Sequence, residues 1–410
     1  MRSYLGSSCR LLGAAFCVFL GSAEVRAQET ASKPLVDQPL AQSRRELLQL
    51  AFDAVSAMPT KPHAKNRSRA QETVVAACLK LEQPKLAQDY AERIDDWRRG
   101  VCLADLALYC LDRGRIDAVQ GLLAAADVVA EQSKSDTQSW RRDRIRARIG
   151  QAHLRLGKNQ QARDYVAGVA PADLGAFDGA AARLADPADF AGQIKAIDAV
   201  IAAGNFEPIR NALQVCVDLY ERYHGDEDRR EQVESRALNA YDRLPIAVRL
   251  DLIAQMVGVA LRKQDEASAR RFLDRADTLF QQPAMPTEDE LAARARFASL
   301  RGKAGQVELG RKAATAAVAR FYSERERIVD IDRGIALRPL AAAFVELGDL
   351  PEARRVFLAA LEEGLHNPNS RPRAEDLAGV CVTMAVCGYE PDAELRARLE
   401  QIKKGLGNPW

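Results

Sequence analysis

Two stretches decide how this chain folds: AHLRLGKNQQAR (152–163) and AFVELGDLPEAR (343–354). Each runs apolar residues at helical spacing into a Gly, a short polar link, and an Ala five residues past the Gly. A Gly there can take φ > 0 and end one helix. Asp349 is placed to cap the next helix, and Pro351 stands in its first turn, where a missing N–H costs nothing. The Ala then faces the first helix and lets the two backbones approach. The same layout recurs in LYCLDRGRIDAV (108–119), VCGYEPDA (386–393) and AAGNFEPI (202–209). The pairs are Gly114/Val119, Gly157/Ala162, Gly204/Ile209, Gly305/Gly310, Gly348/Ala353 and Gly388/Ala393, and two further copies, Glu82/Ala87 and Gln264/Ala269, lack the Gly.

Around these motifs the chain is rich in Ala, Leu, Arg and Glu, all good helix formers. Leu103, Leu106, Ala107, Cys110 and Leu111 follow the spacing of one helix face. The best strand candidate, Val380 to Val386, also fits a buried helix. The expected fold is therefore all-α, a solenoid of antiparallel helical hairpins. Internal repetition of this kind resembles the tetratricopeptide repeats. In that family small residues occupy the eighth and twentieth positions, with a Gly often between the helices; Gly150, Gly157 and Ala162 match those places, as do Ala341, Gly348 and Ala353, with Ala360 at the next small position. The resemblance covers about 68–402 in about eight copies. It implies a non-enzymatic scaffold that binds a peptide or protein partner in a concave groove.

The intervals between equivalent turn positions are 32, 43, 47, 60, 41, 43 and 40 residues, which makes the solenoid irregular. The widest should hold an extra helix, Arg229 to Arg243, ended by Leu244-Pro245. Pro339 falls inside a first helix and should either start a short helix or kink a long one. Repeats that pack only on their neighbours also explain a length beyond the roughly 250–300 residues that one core serves.

Residues 1–27 have the three parts of a secretory signal: Arg2 and Arg10, the apolar run Leu11 to Leu20, and Val25-Arg26-Ala27 before a cleavage point. The chain is thus expected to be exported, periplasmic or secreted. Residues 28–42, with Pro34 and Pro39, are expected as a flexible tether, 43–405 as the solenoid and 406–410, ending in Trp410, as a frayed tail. Removing Arg2, Arg10, Arg26 and Glu24 from the count leaves 56 basic and 56 acidic residues. That balance argues against a nucleic-acid binder, and no apolar run in the body is long enough to span a membrane. Six cysteines remain past the signal: Cys78, Cys102, Cys110, Cys216, Cys381 and Cys387. None forms a CxxC pair, and each sits in an apolar run that suits a buried free thiol.

Enzyme motifs are missing. His63, His153, His224 and His366 form no ligand spacing, and there is no GxSxG, P-loop or GxGxxG after a strand. No catalytic, metal or cofactor residue is expected, and no cofactor. Glu288, Asp289 and Glu290, like Asp226, Glu227 and Asp228, read as helix starts that complement the macrodipole. Arg141, Arg142, Arg144, Arg146 and Arg148 follow Trp140; interrupted by Asp143 and pointing around the helix, they read as a solvated face. Asn66-Arg67-Ser68 is an N-glycosylation sequon. The alternative function is an all-helical exported polysaccharide lyase or glycosidase on a toroid. Such a toroid would join its two ends, whereas these hairpins imply an open arc.

Overall fold

A computed structural model describes residues 34–133, 137–282 and 285–410. Residues 1–33, on which the signal-sequence reading falls, lie outside it, as do 134–136 and 283–284. Among the described residues there is no strand. The first helices are α1 (Gln42–Ser56), α2 (Thr60–Lys80), α3 (Pro84–Ala91), α4 (Arg98–Asp112), α5 (Ile116–Gln132), α6 (Trp140–Arg155) and α7 (Asn159–Val166). Next come α8 (Gly175–Leu184), α9 (Phe190–Ala203), α10 (Phe206–Arg222), α11 (Glu227–Tyr241), α12 (Ile246–Arg262) and α13 (Glu266–Phe280). The last are α14 (Thr287–Lys303), α15 (Val307–Glu324), α16 (Asp330–Glu346), α17 (Leu350–Leu365), α18 (Ser370–Cys387) and α19 (Ala393–Lys404).

All eight predicted turn positions adopt the left-handed conformation. The six glycines have φ between 68° and 78°, and Glu82 and Gln264, which lack the glycine's freedom, are held there at 60°. Side chains confirm the caps: Asp349 accepts from Glu352 N, Asp392 from Leu395 N and Asp265 from Ser268 N. The small residues do what close packing needs. A Cβ built on Gly310 would come 2.8 Å from the Ala298 carbonyl oxygen across the α14/α15 hairpin.

The hairpin count differs from the sequence reading. Seven of the eight turns join the two helices of a hairpin, but Gly204 joins α9 to α10, from one hairpin to the next. Two links carry no left-handed glycine and so escaped notice. One, around Pro187, joins α8 to α9, with Asp186 accepting from Ala188 N; the other ends at Asp226, which accepts from Arg229 N and joins α10 to α11 as a packed hairpin. The helix expected at 229–243 is α11, the second helix of the α10 hairpin rather than an insertion. Pro339 lies inside α16, which runs on through it.

The even-numbered helices α2 to α18 pack each on the next, as an inner layer must, while the odd-numbered ones lie outside them. The open arc is not what forms. α18 packs back against α1 and α2, so the inner layer is a closed ring of nine helices among the described residues. α1 takes the place an outer helix has elsewhere, between its inner partner α18 and the next inner helix α2. One apolar core therefore unites residues 35–152 with 291–402, and a second spans 182–304. Polar bonds cross the seam as well: Arg44 Nε donates to Ala385 O at 2.7 Å, Lys403 pairs with Asp53 at 3.2 Å, and Asn66 Nδ2 donates to Glu375 at 3.1 Å.

Both chain ends reinforce the ring. The expected tether is docked over its described part: Leu35 is buried, Gln38 N donates to Glu82 O, and Asp37 accepts from Lys85 N and Leu86 N at the start of α3. The expected frayed tail is docked too, with Ser370 N donating to Pro409 O at 2.8 Å and Trp410 packed on the core. Arg–acid pairs such as Arg236–Asp198 (3.0 Å) and Arg398–Glu362 (2.8 Å) join successive outer helices, which accounts for the even charge balance. Exposed pairs add little stability, about 0–1 kcal/mol each; their use is in register.

Candidate functional site

Inner helices turn one face away from both layers, and there they bound a cavity of about 770 Å³. Five of them contribute: Asp105 from α4; Arg144, Arg148 and Gln151 from α6; Phe177 and Arg183 from α8; Arg210, Gln214 and Asp218 from α10; and Asp251 and Gln255 from α12. Asp173 joins them from the 3-10 turn Pro171–Asp173. The repeat explains the convergence. Asp105, Arg148 and Gln255 each stand nine residues before their turn positions 114, 157 and 264, while Arg144 and Asp251 stand thirteen before theirs. Equal register on parallel inner helices brings residues more than a hundred positions apart to one level.

Most of the charge is compensated inside the wall. Arg148 Nε donates to Asp105 at 2.6 Å, Arg296 to Asp251 at 2.6 Å, Arg183 pairs with Asp218, and Arg210 with Glu207 at 3.0 Å. Burial still pushes the carboxyls of Asp105 and Asp218 above their ordinary range, against the pull of Arg148 and Arg183. Glu72 behaves likewise: burial raises it while Arg98, Arg144 and Arg148 hold it down. Arg98 is itself buried, at 2.9 Å from Glu72 and 4.5 Å from the centre of the Trp97 ring.

The basic run of α6 is split rather than solvated as a whole. Arg144 and Arg148 face the cavity. Arg146 turns to the end of α7 and donates to Asp164 O and Ala167 O, both at 3.2 Å. Trp140 packs edge-on against Trp97 at 5.1 Å. The histidines are apart from one another: His153 stacks on Tyr165, His224 lies 3.3 Å from Asp265, His366 follows α17 and His63 lies in α2. Glu290 is tied to Arg294 and Arg320. Asn66 of the sequon sits within α2 and holds Glu375, not on a displayed loop. The six cysteines are free, and burial pushes Cys78 and Cys216 up to about 12, so neither is a ready thiolate at neutral pH.

One buried carboxyl outside the cavity has no ion pair among the described residues. Asp376 of α18 is wedged against Gly334 of α16 and Gly364 of α17, and its Oδ2 has no hydrogen-bond partner. Burial pushes its pKa up to about 7; Arg338 opposes this, while Glu375 and Asp332 add to it. A carboxyl raised on folding favours the fold only while it is protonated. Stability should therefore fall as pH rises from about 4 to about 7, and Asp376→Asn should remove that fall. Urea midpoints at pH 5 and pH 8 for the two proteins test this; parallel pH profiles would refute it.

No family model matches the chain, and no curated protein does. Among solved structures, a circular tandem repeat protein with novel repeat topology and enhanced subunit contact surfaces is 15% identical, over 88% of this chain and 95% of that one, at a TM-score of 0.29. A likeness at that level carries no inference. On its own helices and turns, the chain is a helical-repeat protein, built of hairpins and closed into a ring. No described helix is long and apolar enough to cross a membrane.

Proposed function

We propose that this is an exported, non-enzymatic binding protein of tetratricopeptide-like character that takes a segment of a partner protein inside its ring. The observation that carries this reading is the cavity, where polar side chains from five inner helices converge on one level. A closed ring holds such a surface rigidly, so little ordering cost falls on the protein when a ligand enters. At about 770 Å³ the cavity is in the usual range for small ligands, about 300–1,000 Å³; it suits a few residues of a partner, not a folded domain.

The test is affinity capture of residues 28–410 from the native cell envelope, alongside the Ala176→Trp variant. Ala176 is exposed and lines the cavity, so a Trp there fills space without disturbing a core. A reproducible partner set seen with the wild type and lost with A176W is expected. Equal recovery by both would remove the cavity from the interaction.

A polysaccharide-acting enzyme is the second reading. Closure of the ring favours it, since the toroid it requires joins its ends, and so do the raised carboxyls of Asp105 and Asp218 in a cleft. Against it, each of these carboxyls is committed to an arginine. Reducing-end release from polysaccharide substrates, abolished by Asp218→Asn, is the result that would favour it over binding alone.

A further inference from the structure

We infer that the cavity is built for a short zwitterionic peptide segment, with its carboxylate on Arg144 and its cationic group on Asp173. This rests on the reading of the cavity as the binding site. The inference comes from what the wall leaves unused. Asp105, Arg148, Arg183, Asp218, Arg210 and Asp251 all have ionic partners. Arg144 and Asp173 have none: neither side chain makes a hydrogen bond or an ion pair with any described residue. They act on each other's charge, Arg144 lowering the pKa of Asp173 against its burial, yet they stand farther apart than an ion pair. Arg144 does have an aromatic neighbour, its guanidinium lying 5.5 Å from the centre of the Trp97 ring. Among the described residues the cavity thus offers one cation without an anionic partner and one anion without a cationic partner, with a gap between them.

Two amides complete the set. Gln151 and Gln214 line the same space and their side chains likewise make no hydrogen bond with any described residue, so each offers a donor and an acceptor. One cation, one anion and two amides complement a carboxylate, an ammonium or guanidinium, and the peptide groups between them. A ligand of single charge would satisfy one side and leave the opposite charge desolvated without a partner. A neutral polyol would strand both. A zwitterion supplies two charge-assisted bonds at once.

Calorimetric titration of residues 28–410 with unblocked tetra-alanine, its N-acetyl form, its C-amide and chitotetraose tests this. The unblocked peptide should bind, and blocking either end should weaken it about tenfold or more. Arg144→Gln should abolish the preference for a free carboxylate alone, and Asp173→Asn the preference for a free ammonium alone. Both positions are half-exposed, so unchanged melting of each variant serves as the folding control. Equal binding of the three peptides by the wild type and by both variants, or preference for chitotetraose, overturns the inference. If no tetrapeptide binds while A176W still loses the captured partner, the inference fails and the binding reading stands. If A176W captures the partner unchanged, that reading fails with it.

Discussion

Phe52→Ala is expected to destabilise the protein by about 3–5 kcal/mol, although the residue lies in the first helix of a repeat array. Phe52 has no solvent exposure, stacks on Tyr90 with ring centres 3.9 Å apart, and has the Arg93 guanidinium 4.6 Å from its own centre. In an open solenoid a terminal helix covers only its neighbour, and damage there frays one end. In this ring α1 also covers α18, so its loss uncovers the core shared by the first and last hairpins. Removing residues 34–56 should therefore expose protease sites in α18 as well as α2. Phe206, 42% exposed at the start of α10, is the control: Phe206→Ala should shift melting little. Cleavage confined to the N-terminal hairpin would mean that the ring does not depend on the seam.

Ala353→Arg is expected to be as damaging, and Ala162→Arg with it. Both residues have no solvent exposure and stand five past a left-handed turn, where the second helix meets the first. Overpacking such a contact costs roughly 1–3 kcal/mol, and a guanidinium with no room to reach water adds a desolvation penalty of several kcal/mol. The geometry beside Gly310, the equivalent residue of its hairpin, shows why: even one added carbon would press on a backbone carbonyl. Thermal melting checks both variants. Unchanged midpoints would mean that the hairpins are not packed in this register.

The hairpins were legible because their signals are local. A turn glycine, an Asp cap and an Ala five residues on lie within one short stretch, and wherever all were present the structure has the hairpin expected. The reading slipped between 157 and 264, where Pro187 links α8 to α9 and Asp226 closes the α10/α11 hairpin without a left-handed glycine, while Gly204 joins α9 to α10. The cavity was legible only in fragments. Arg144 and Arg148 stood out as part of a basic run, but nothing local separates them from Arg146, which turns outward. Asp105 and Gln255 carry no motif; counting nine residues back from each turn is the signal that finds them.

Sequence alone determined the helical class, the left-handed turns, the small contact residues and the balance of charge, since each follows from interactions within one hairpin or between neighbours. Closure was decided by tertiary structure. Whether α18 meets α1 depends on curvature accumulated over nine inner helices, and the contacts that seal the seam, such as Arg44 to Ala385, join residues 341 positions apart. The same long-range packing docks Asp37 on α3 and Pro409 on α18, turning a tether and a tail that look mobile in isolation into parts of the ring.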